Sequence, residues 1–281
     1  MLTFLILALA CSTDRTSAEP PGPTVVAQAK TNHARACDGP KTQPDVIIAS
    51  IDTLRADRLG YAGYEAARTP NLDALAKSGA IFRQATTPVP RTTPALATLM
   101  TGLSPHHHGA REVGEMVLAP QRLSTLLAER GWRTVGISAM PVAGPDQDMD
   151  RGFNFFEVHS DARSEDLTAV ALKHSAAVPD NCPLFLWTHY ADPHFPYLPP
   201  KSWTDQPVAS TCRKLVERAS KGKMARYKYY SNRDGRSEPI LEDCSALYDA
   251  EIAYADHGVG KLLQGLANLG RDNPIIVFTA D

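Results

Sequence analysis

Four short apolar runs recur along the chain, separated by longer segments of mixed polarity. They read DVIIASI, TVGISA, PLFLWTHY and PIIVFTA, and they begin at residues 45, 134, 183 and 274. A strand with one face in water alternates apolar and polar residues, whereas these runs show no such alternation. Their pattern is typical of strands that are covered on both faces. We therefore expect four strands of a parallel sheet.

Helical patterns fill the segments between these runs. Residues 69–79, TPNLDALAKSG, place Thr69 at the N-cap, Pro70 at the first helical position and Gly79 after the last turn. Residues 122–131 also end in a glycine, and residues 245–270 form a long amphipathic pattern. Alternating strands and helices predict an α/β fold, with a doubly wound, mostly parallel sheet and helices on both faces.

The first 43 residues differ from the rest of the chain. MLTFLILALAC is apolar, and the polar, proline-rich STDRTSAEPPGPT follows it. This order predicts a signal segment over residues 1–20 and a linker over 21–43, before a catalytic domain over 44–281. LALAC resembles a bacterial lipobox, in which Cys11 would be lipidated. We expect an exported protein, periplasmic or at the cell surface, with membrane attachment through Cys11; the alternative is a wrongly assigned start codon.

The remaining cysteines form an even set, as in many disulfide-bonded exported proteins. Cys37, Cys182, Cys212 and Cys244 allow three pairings. Cys212 and Cys244 bracket one polar segment, which favours a bridge between them, and buried free thiols are the alternative. The net charge of -2 argues against a nucleic-acid partner, because there is no basic excess to neutralise phosphates.

Acidic and histidine residues collect where the predicted strands end. Asp52 follows the first run, PLFLWTHY ends near His189 and leads into Asp192 and His194, and Asp281 follows the last run. In open α/β sheets, ligands bind at the carboxyl ends of the strands. One such acid alone would indicate a helix cap or an ion pair. Three strands that end in this way favour a functional site.

A threonine pair stands at the start of a predicted helix, VPRTTPALATLMTG, which ends at Gly102. Pro94 suits the first helical position, so Thr92 or Thr93 lies at the N-terminus. Free N–H groups and the helix dipole there stabilise an attacking alkoxide. The alternative role for these hydroxyls is simple capping.

Successive blocks of the chain resemble one family, in its order, from Asp45 to the last residue. They include DVIIASIDTLRADRLGYAG, RTPNLDALAKSGAIF, TTPALATLMTGLSPHHHG, HYADPHFPYLPP, LYDAEIAYADHGVGKLL and IIVFTAD. These blocks are similar to the sulfatase family of the alkaline phosphatase superfamily. The resemblance implies hydrolysis of sulfate-type esters, and hence an anionic ester as substrate.

The resemblance also implies roles for individual residues. Thr92 falls at the position of the nucleophile, Asp52 and Asp281 match metal-binding aspartates, and His194 matches the histidine that contacts the transferred group. Together with the Thr92 hydroxyl, the two carboxylates form an oxygen donor set that suits one divalent cation, Ca²⁺, Mg²⁺ or Mn²⁺. His194 could donate to a substrate oxygen or protonate the leaving group.

Several positions depart from the family pattern. Arylsulfatases oxidise a cysteine or serine to formylglycine, and a threonine cannot form that aldehyde. Ala95 and Leu96 replace the family's serine and arginine, and Thr53 replaces a second metal-binding aspartate. The lysine and histidine of another family block fall near Ala139 and Pro141. These losses leave two alternatives open: a phosphodiesterase, phosphonate ester hydrolase or phosphoryl-group transferase, and an inactive, truncated, surface-anchored remnant.

The last residue raises a further expectation. In the family, the aspartate that matches Asp281 is followed by a histidine or asparagine and a glycine, then by a lysine and a smaller C-terminal domain. The resemblance therefore implies that the 281 residues are a fragment, truncated within this metal motif, with little or no turnover as they stand. The oligomeric state is left open.

Overall fold

The computed structural model describes residues 24–28, 37, 40–204, 212 and 238–281. The predicted signal segment and Cys11 lie outside the described residues. Among the helices that are described, none has the length and apolar character needed to cross a membrane.

Six strands form one sheet in the order β1-β4-β3-β5-β2-β6. All neighbouring strands run parallel except β1, which pairs antiparallel with β4 at the edge. The strands are β1 Thr24–Gln28, β2 Val46–Ile51, β3 Arg133–Ser138, β4 Phe155–Ser160, β5 Leu184–Tyr190 and β6 Ile275–Ala280. The predicted α/β, mostly parallel sheet is confirmed.

The four strands expected from the apolar runs are β2, β3, β5 and β6, each within one residue of the predicted start and end. The sequence pattern missed β4 and β1. Strand β1 lies inside residues 21–43, which the composition assigns to a linker, and it pairs with β4 from Thr24 to Gln28. The sheet therefore includes part of the segment that was expected to be a flexible spacer.

Helices cover both faces of the sheet, as predicted. One apolar core joins alternate residues of β2, such as Ile47 and Ile51, to the long helix near the C-terminus and to the helix that precedes β5. The other core lies on the opposite face and joins Ile48 and Trp187 to the helix that begins at Thr92 and to its neighbours. The helices are α1 Pro70–Ser78, α2 Thr92–Thr101, α3 Pro105–His108, α4 Leu123–Glu129, α5 Ser164–Ala176 and α6 Glu238–Asn268.

Helix α1 has the predicted ends, but its N-terminus is capped differently. The Thr69 side chain makes no capping hydrogen bond to the helix; it donates to Asp73 and accepts from the N–H of Gly60. The carboxylate of Asp256, on α6, accepts from the N–H groups of Asn71 and Leu72 instead. Thr69 is therefore the N-cap residue, as predicted, but a charged acceptor from a distant helix, rather than the Thr69 side chain, satisfies the first-turn donors.

Two disulfides join the cysteines. Cys212 pairs with Cys244, as the sequence favoured, and Cys37 pairs with Cys182 across a separation of 145 residues. The second bridge ties the segment before the first core strand to the loop that precedes β5. The alternative of buried free thiols is excluded for these four residues.

Candidate active site

Asp52 and Asp281 lie side by side at the carboxyl end of the sheet. Strands β2 and β6 are neighbours in parallel register, with Ile51 opposite Ala280. The next residue on each strand is therefore an aspartate. Asp52 is fully buried, and its N–H donates to the carbonyl of Tyr190 at 2.9 Å. The adjacent strands thus bring two carboxylates to one point.

His189 is the third member of this cluster; the sequence places it near the end of its strand, at the same rim as the acids, but does not indicate a role for it. It lies on β5, the other neighbour of β2, opposite Ser50. Its Nε2 atom is 3.6 Å from Oδ2 of Asp52, and the side chain is fully buried. One potential ligand atom from each of Asp52, His189 and Asp281 lies within 4.8 Å of the others.

The donor set of this cluster fits a divalent cation. Oδ1 of Asp52, Oδ2 of Asp281 and Nε2 of His189 are buried atoms with no hydrogen-bond partner within the described part of the chain. Burial, followed by the charge of Asp52, raises the pKa of Asp281. Two buried carboxylates without a cation repel each other, and orphaned buried acceptors are costly. A bound cation would remove both costs.

Helix α2 places the Thr92 hydroxyl beside the cluster. Thr92 begins the helix, and its Oγ1 lies 3.4 Å from Oδ2 of Asp52, toward which it donates. Thr93 points elsewhere: its hydroxyl donates to the carbonyl of Val142 at 2.7 Å and accepts from the N–H of Gly114 at 2.9 Å. Of the two threonines, only Thr92 contacts the cluster.

Pro94 is the third residue of α2, not the first as predicted. The first four N–H groups of a helix have no intrahelical partner, so proline is tolerated at any of these positions. The N–H of Ala95, which donates to the carbonyl of Arg91 at 3.0 Å, forms the first helical bond. The N–H groups of Thr92 and Thr93 precede it and lie at the positive end of the helix dipole.

A turn after β2 connects Asp52 to Asp281. Thr53 adopts a left-handed backbone with φ of 54°, and its N–H donates to Oδ1 of Asp281 at 2.9 Å. The Tyr248 hydroxyl donates to the carbonyl of Thr53 at 2.8 Å and accepts from the N–H of Arg55 at 2.9 Å. A left-handed threonine is strained, so these bonds hold a conformation that the residue would not choose alone.

His194 lies in the loop after β5 and is half-buried. Its Nδ1 atom is 2.6 Å from the carbonyl of Phe195, to which it donates. Among the described residues, no hydrogen bond or ion pair joins His194 to Asp52, Thr92 or Asp281. Asp192 does not enter the site either, because its carboxylate accepts from the backbone and the hydroxyl of Ser164 at the start of α5. The expectation that this strand also ends at the site fails for Asp192, which caps a helix.

Two of the departures from the family pattern are buried. Leu96 is only 1% exposed and packs in the core behind α2. Ala139, which follows β3, is fully buried. Neither residue offers a charged group to an anion, so any anion site here must draw on other residues.

Comparisons with known proteins concern the family and the fold of the chain. A family model described as Sulfatase matches residues 44–281. An arylsulfatase from Clostridium perfringens (strain 13 / Type A) is 24% identical over 85% of this chain and 63% of its own length. The human N-sulphoglucosamine sulphohydrolase is 28% identical over 79% of this chain and 47% of its own length. The chain thus spans about half to two thirds of these relatives.

Solved structures show the same fold. The phosphonate monoester hydrolase of Agrobacterium radiobacter superposes with a TM-score of 0.62 at 20% identity, over 85% of this chain and 62% of that one. At this identity the likeness concerns the fold alone. The match of the family model, by contrast, covers most of the sequence, and the chain belongs to the sulfatase family.

Proposed function

We propose that this protein is a metal-dependent hydrolase of sulfate esters that uses Thr92 as nucleophile. One observation carries the proposal. Asp52, His189 and Asp281 bring potential ligand atoms within 4.8 Å of one another beside the Thr92 hydroxyl, and each carries a buried atom with no hydrogen-bond partner among the described residues. Membership of the sulfatase family supports the sulfate ester as substrate.

The cation would be held by Asp52 and Asp281, with the Thr92 hydroxyl beside it, and when bound it would supply positive charge that lowers the hydroxyl's proton affinity. Asp52 orients the nucleophile. The Thr92 hydroxyl donates its hydrogen to the Asp52 carboxylate, so the lone pairs of the Thr92 oxygen point away from that carboxylate. The N-terminus of α2 then favours negative charge on Thr92 and on the attacked group.

His194 is proposed to assist the leaving group. Because a backbone carbonyl can only accept, the bond from Nδ1 to Phe195 places a proton on Nδ1. The neutral imidazole therefore keeps a lone pair on Nε2, and only the protonated ring can donate from that atom. In this role His194 would donate a proton from Nε2 to the ester oxygen as the bond breaks.

A second candidate function is hydrolysis or transfer of phosphate or phosphonate esters. Thr92 cannot be oxidised to formylglycine, and Leu96 stands where arylsulfatases have arginine. The structural likeness to a phosphonate monoester hydrolase is consistent with this alternative. The third candidate is an inactive, truncated remnant, attached to the surface through Cys11, that binds a ligand without turnover.

The substrate class to test first is a sulfated saccharide, because the name of the human relative specifies a sulphated glucosamine. Export is also part of the proposal, through the signal over residues 1–20 with lipidation at Cys11. The two disulfides suit an oxidising compartment.

A substrate panel tests the function. The protein, expressed with any sequence that its gene encodes beyond the codon for Asp281, is assayed with an aryl sulfate, N-sulphoglucosamine, a phosphate diester and a phosphonate monoester. Each assay is run with Mn²⁺, with Mg²⁺, with Ca²⁺ and with a chelator. We expect cation-dependent turnover of a sulfate ester. Faster turnover of the phosphorus esters would establish the second candidate, and no turnover on the whole panel would leave the third.

A further inference from the structure

Ser50 holds the ring of His189 from the side opposite the carboxylates. Its hydroxyl oxygen lies 2.9 Å from Nδ1 of His189, 3.0 Å from the indole Nε1 of Trp187 and 3.2 Å from the carbonyl of Thr188. Ser50 and His189 are fully buried, and so is Trp187. The hydroxyl thus has three polar neighbours and no contact with solvent.

The number of hydrogens available to the Ser50 hydroxyl and its three neighbours decides which tautomer of His189 satisfies every donor and acceptor. Ser50 has one hydroxyl hydrogen, and the carbonyl of Thr188 can only accept it. The indole N–H of Trp187 can only donate, so Ser50 accepts from it. If Ser50 gives its hydrogen to Thr188, it also accepts from His189, whose proton is then on Nδ1. Nε2 keeps a lone pair directed at Asp52.

The other tautomer leaves a donor unsatisfied. A proton on Nε2 would point at Oδ2 of Asp52 from 3.6 Å, beyond hydrogen-bond distance, in a fully buried position. A lone pair on Nε2 facing a carboxylate is also unfavourable, unless a cation lies between them. A cation held by Asp52, Asp281 and His189 would give this lone pair a partner.

We propose that Ser50 and Trp187 act as positioning residues that fix His189 in the Nδ1–H tautomer, so that Nε2 is a nitrogen ligand of the bound cation. This inference rests on the proposed function for the existence of the cation. It adds a nitrogen donor to a site that the sequence predicted to contain only oxygen donors.

The nitrogen donor changes which cation the site prefers. Ca²⁺ takes oxygen ligands in large, flexible shells, whereas imidazole suits transition metals. A shell of Asp52, Asp281 and His189 therefore favours Mn²⁺ over Ca²⁺. The preference depends on the tautomer, because a protonated Nε2 has no lone pair to donate.

Ser50→Ala tests the inference, with Ser138→Ala as its matched control. Ser138 is also a buried serine opposite His189, on the neighbouring strand β3, but among the described residues its hydroxyl bonds only to the backbone of Met140. Binding of Mn²⁺ and of Ca²⁺ is measured separately by calorimetry. We expect Ser50→Ala to weaken Mn²⁺ about 10- to 100-fold and Ca²⁺ by less than about threefold. Ser138→Ala should change neither affinity.

Two further measurements keep the test independent of folding. Long-range ¹H–¹⁵N spectra of ¹⁵N-histidine protein should show the proton of His189 on Nδ1. His189→Gln, which substitutes an oxygen donor, should lower the ratio of Mn²⁺ to Ca²⁺ affinity as Ser50→Ala does. A proton on Nε2, a wild-type preference for Ca²⁺, or equal losses of both cations in Ser50→Ala would overturn the inference. Absence of binding of either cation to the wild type would overturn the metal requirement of the proposed function as well.

Discussion

The backbone N–H of Thr53 donates to Oδ1 of Asp281 at 2.9 Å and so joins the turn after the first core strand to the end of the last strand. This hydrogen bond links two residues that are 228 positions apart in the sequence. One oxygen of Asp281 is held by this bond, and the other, Oδ2, is buried with no partner among the described residues, while Asp281 offers a ligand atom within 4.8 Å of those of Asp52 and His189. The turn thus orients one of the proposed ligands.

Tyr248→Phe should disturb this turn without removing a ligand. It deletes the hydroxyl that bonds to the backbone of Thr53 and Arg55. We expect a loss of about 1–3 kcal/mol in the free energy of unfolding, since two hydrogen bonds disappear, and weaker Mn²⁺ binding. Urea unfolding and calorimetry measure the two effects. Tyr61→Phe is the control, because the Tyr61 hydroxyl has no hydrogen-bond partner among described residues; equal effects of both variants would refute the role of Tyr248.

Thr92→Ala and Thr93→Ala should separate chemistry from packing. Thr92→Ala removes the hydroxyl next to Asp52, and we expect turnover to fall at least about 1000-fold with little change in stability. Thr93→Ala removes the bonds to Val142 and Gly114. It should cost about 1–3 kcal/mol of stability and retain most of the turnover. The assignment of Thr92 is wrong if Thr93→Ala is the variant that abolishes turnover.

Glu251 should make the protein less stable as pH rises. It lies on α6, its Oε1 accepts from the N–H of Leu198 at 2.8 Å, and its Oε2 is buried without a described partner. Burial, reinforced by the charge of Asp192, raises its pKa well above the ordinary value of 4.5. When the pKa of an acid is higher in the folded than in the unfolded protein, the acid contributes fully to the free energy of unfolding at pH values below its unfolded-state pKa. That contribution is lost as pH rises through the folded-state pKa.

Glu251→Gln should therefore become progressively more stable relative to the wild type between pH 5 and pH 8. Each unit by which the folded pKa is raised corresponds to about 1.4 kcal/mol of that gain. Urea unfolding at three pH values measures it. Glu165→Gln is the control, because the hydrogen bond from Lys261 is the main cause that lowers the pKa of Glu165, so this variant should show no such gain. A constant difference between Glu251→Gln and the wild type would contradict the prediction.

The two disulfides should differ in their contributions to stability. The bridge Cys37–Cys182 closes a separation of 145 residues, and Cys212–Cys244 closes 32. In the chain-entropy description, the longer loop stabilises by about 1 kcal/mol more. Double Cys→Ser variants of each pair, unfolded in urea, test this order. A larger loss from the Cys212–Cys244 pair would show that native-state contacts, not loop closure, set the difference.

The sequence could predict the fold where local pattern and tertiary structure agree. Buried parallel strands need unbroken apolar runs, so β2, β3, β5 and β6 were visible. Strand β1 was not, because TVVAQ is short and stands among proline and polar residues, and only its pairing with β4 makes it a strand. The cap of α1 was missed for a similar reason, since Asp256 is distant in sequence from the helix it caps.

The same distinction between local pattern and tertiary structure applies to the residues of the candidate site. The acids Asp52 and Asp281 could be found because each follows an apolar run directly. His189 was recognised near the end of its strand but was given no role, because a histidine in an apolar run indicates a core residue as readily as a ligand. Its significance depends on strand order, which places β5 next to β2, and on the hydroxyl of Ser50. Neither the strand order nor the contact with Ser50 can be predicted from the spacing of residues in the sequence.

The most direct test of the central claim is a crystal structure of the protein soaked in Mn²⁺, with anomalous scattering data collected at the manganese edge. We expect one anomalous peak within about 2.5 Å of oxygen atoms of Asp52 and Asp281 and of Nε2 of His189, beside the Thr92 hydroxyl. A strong peak elsewhere, with none between these three side chains, would contradict it.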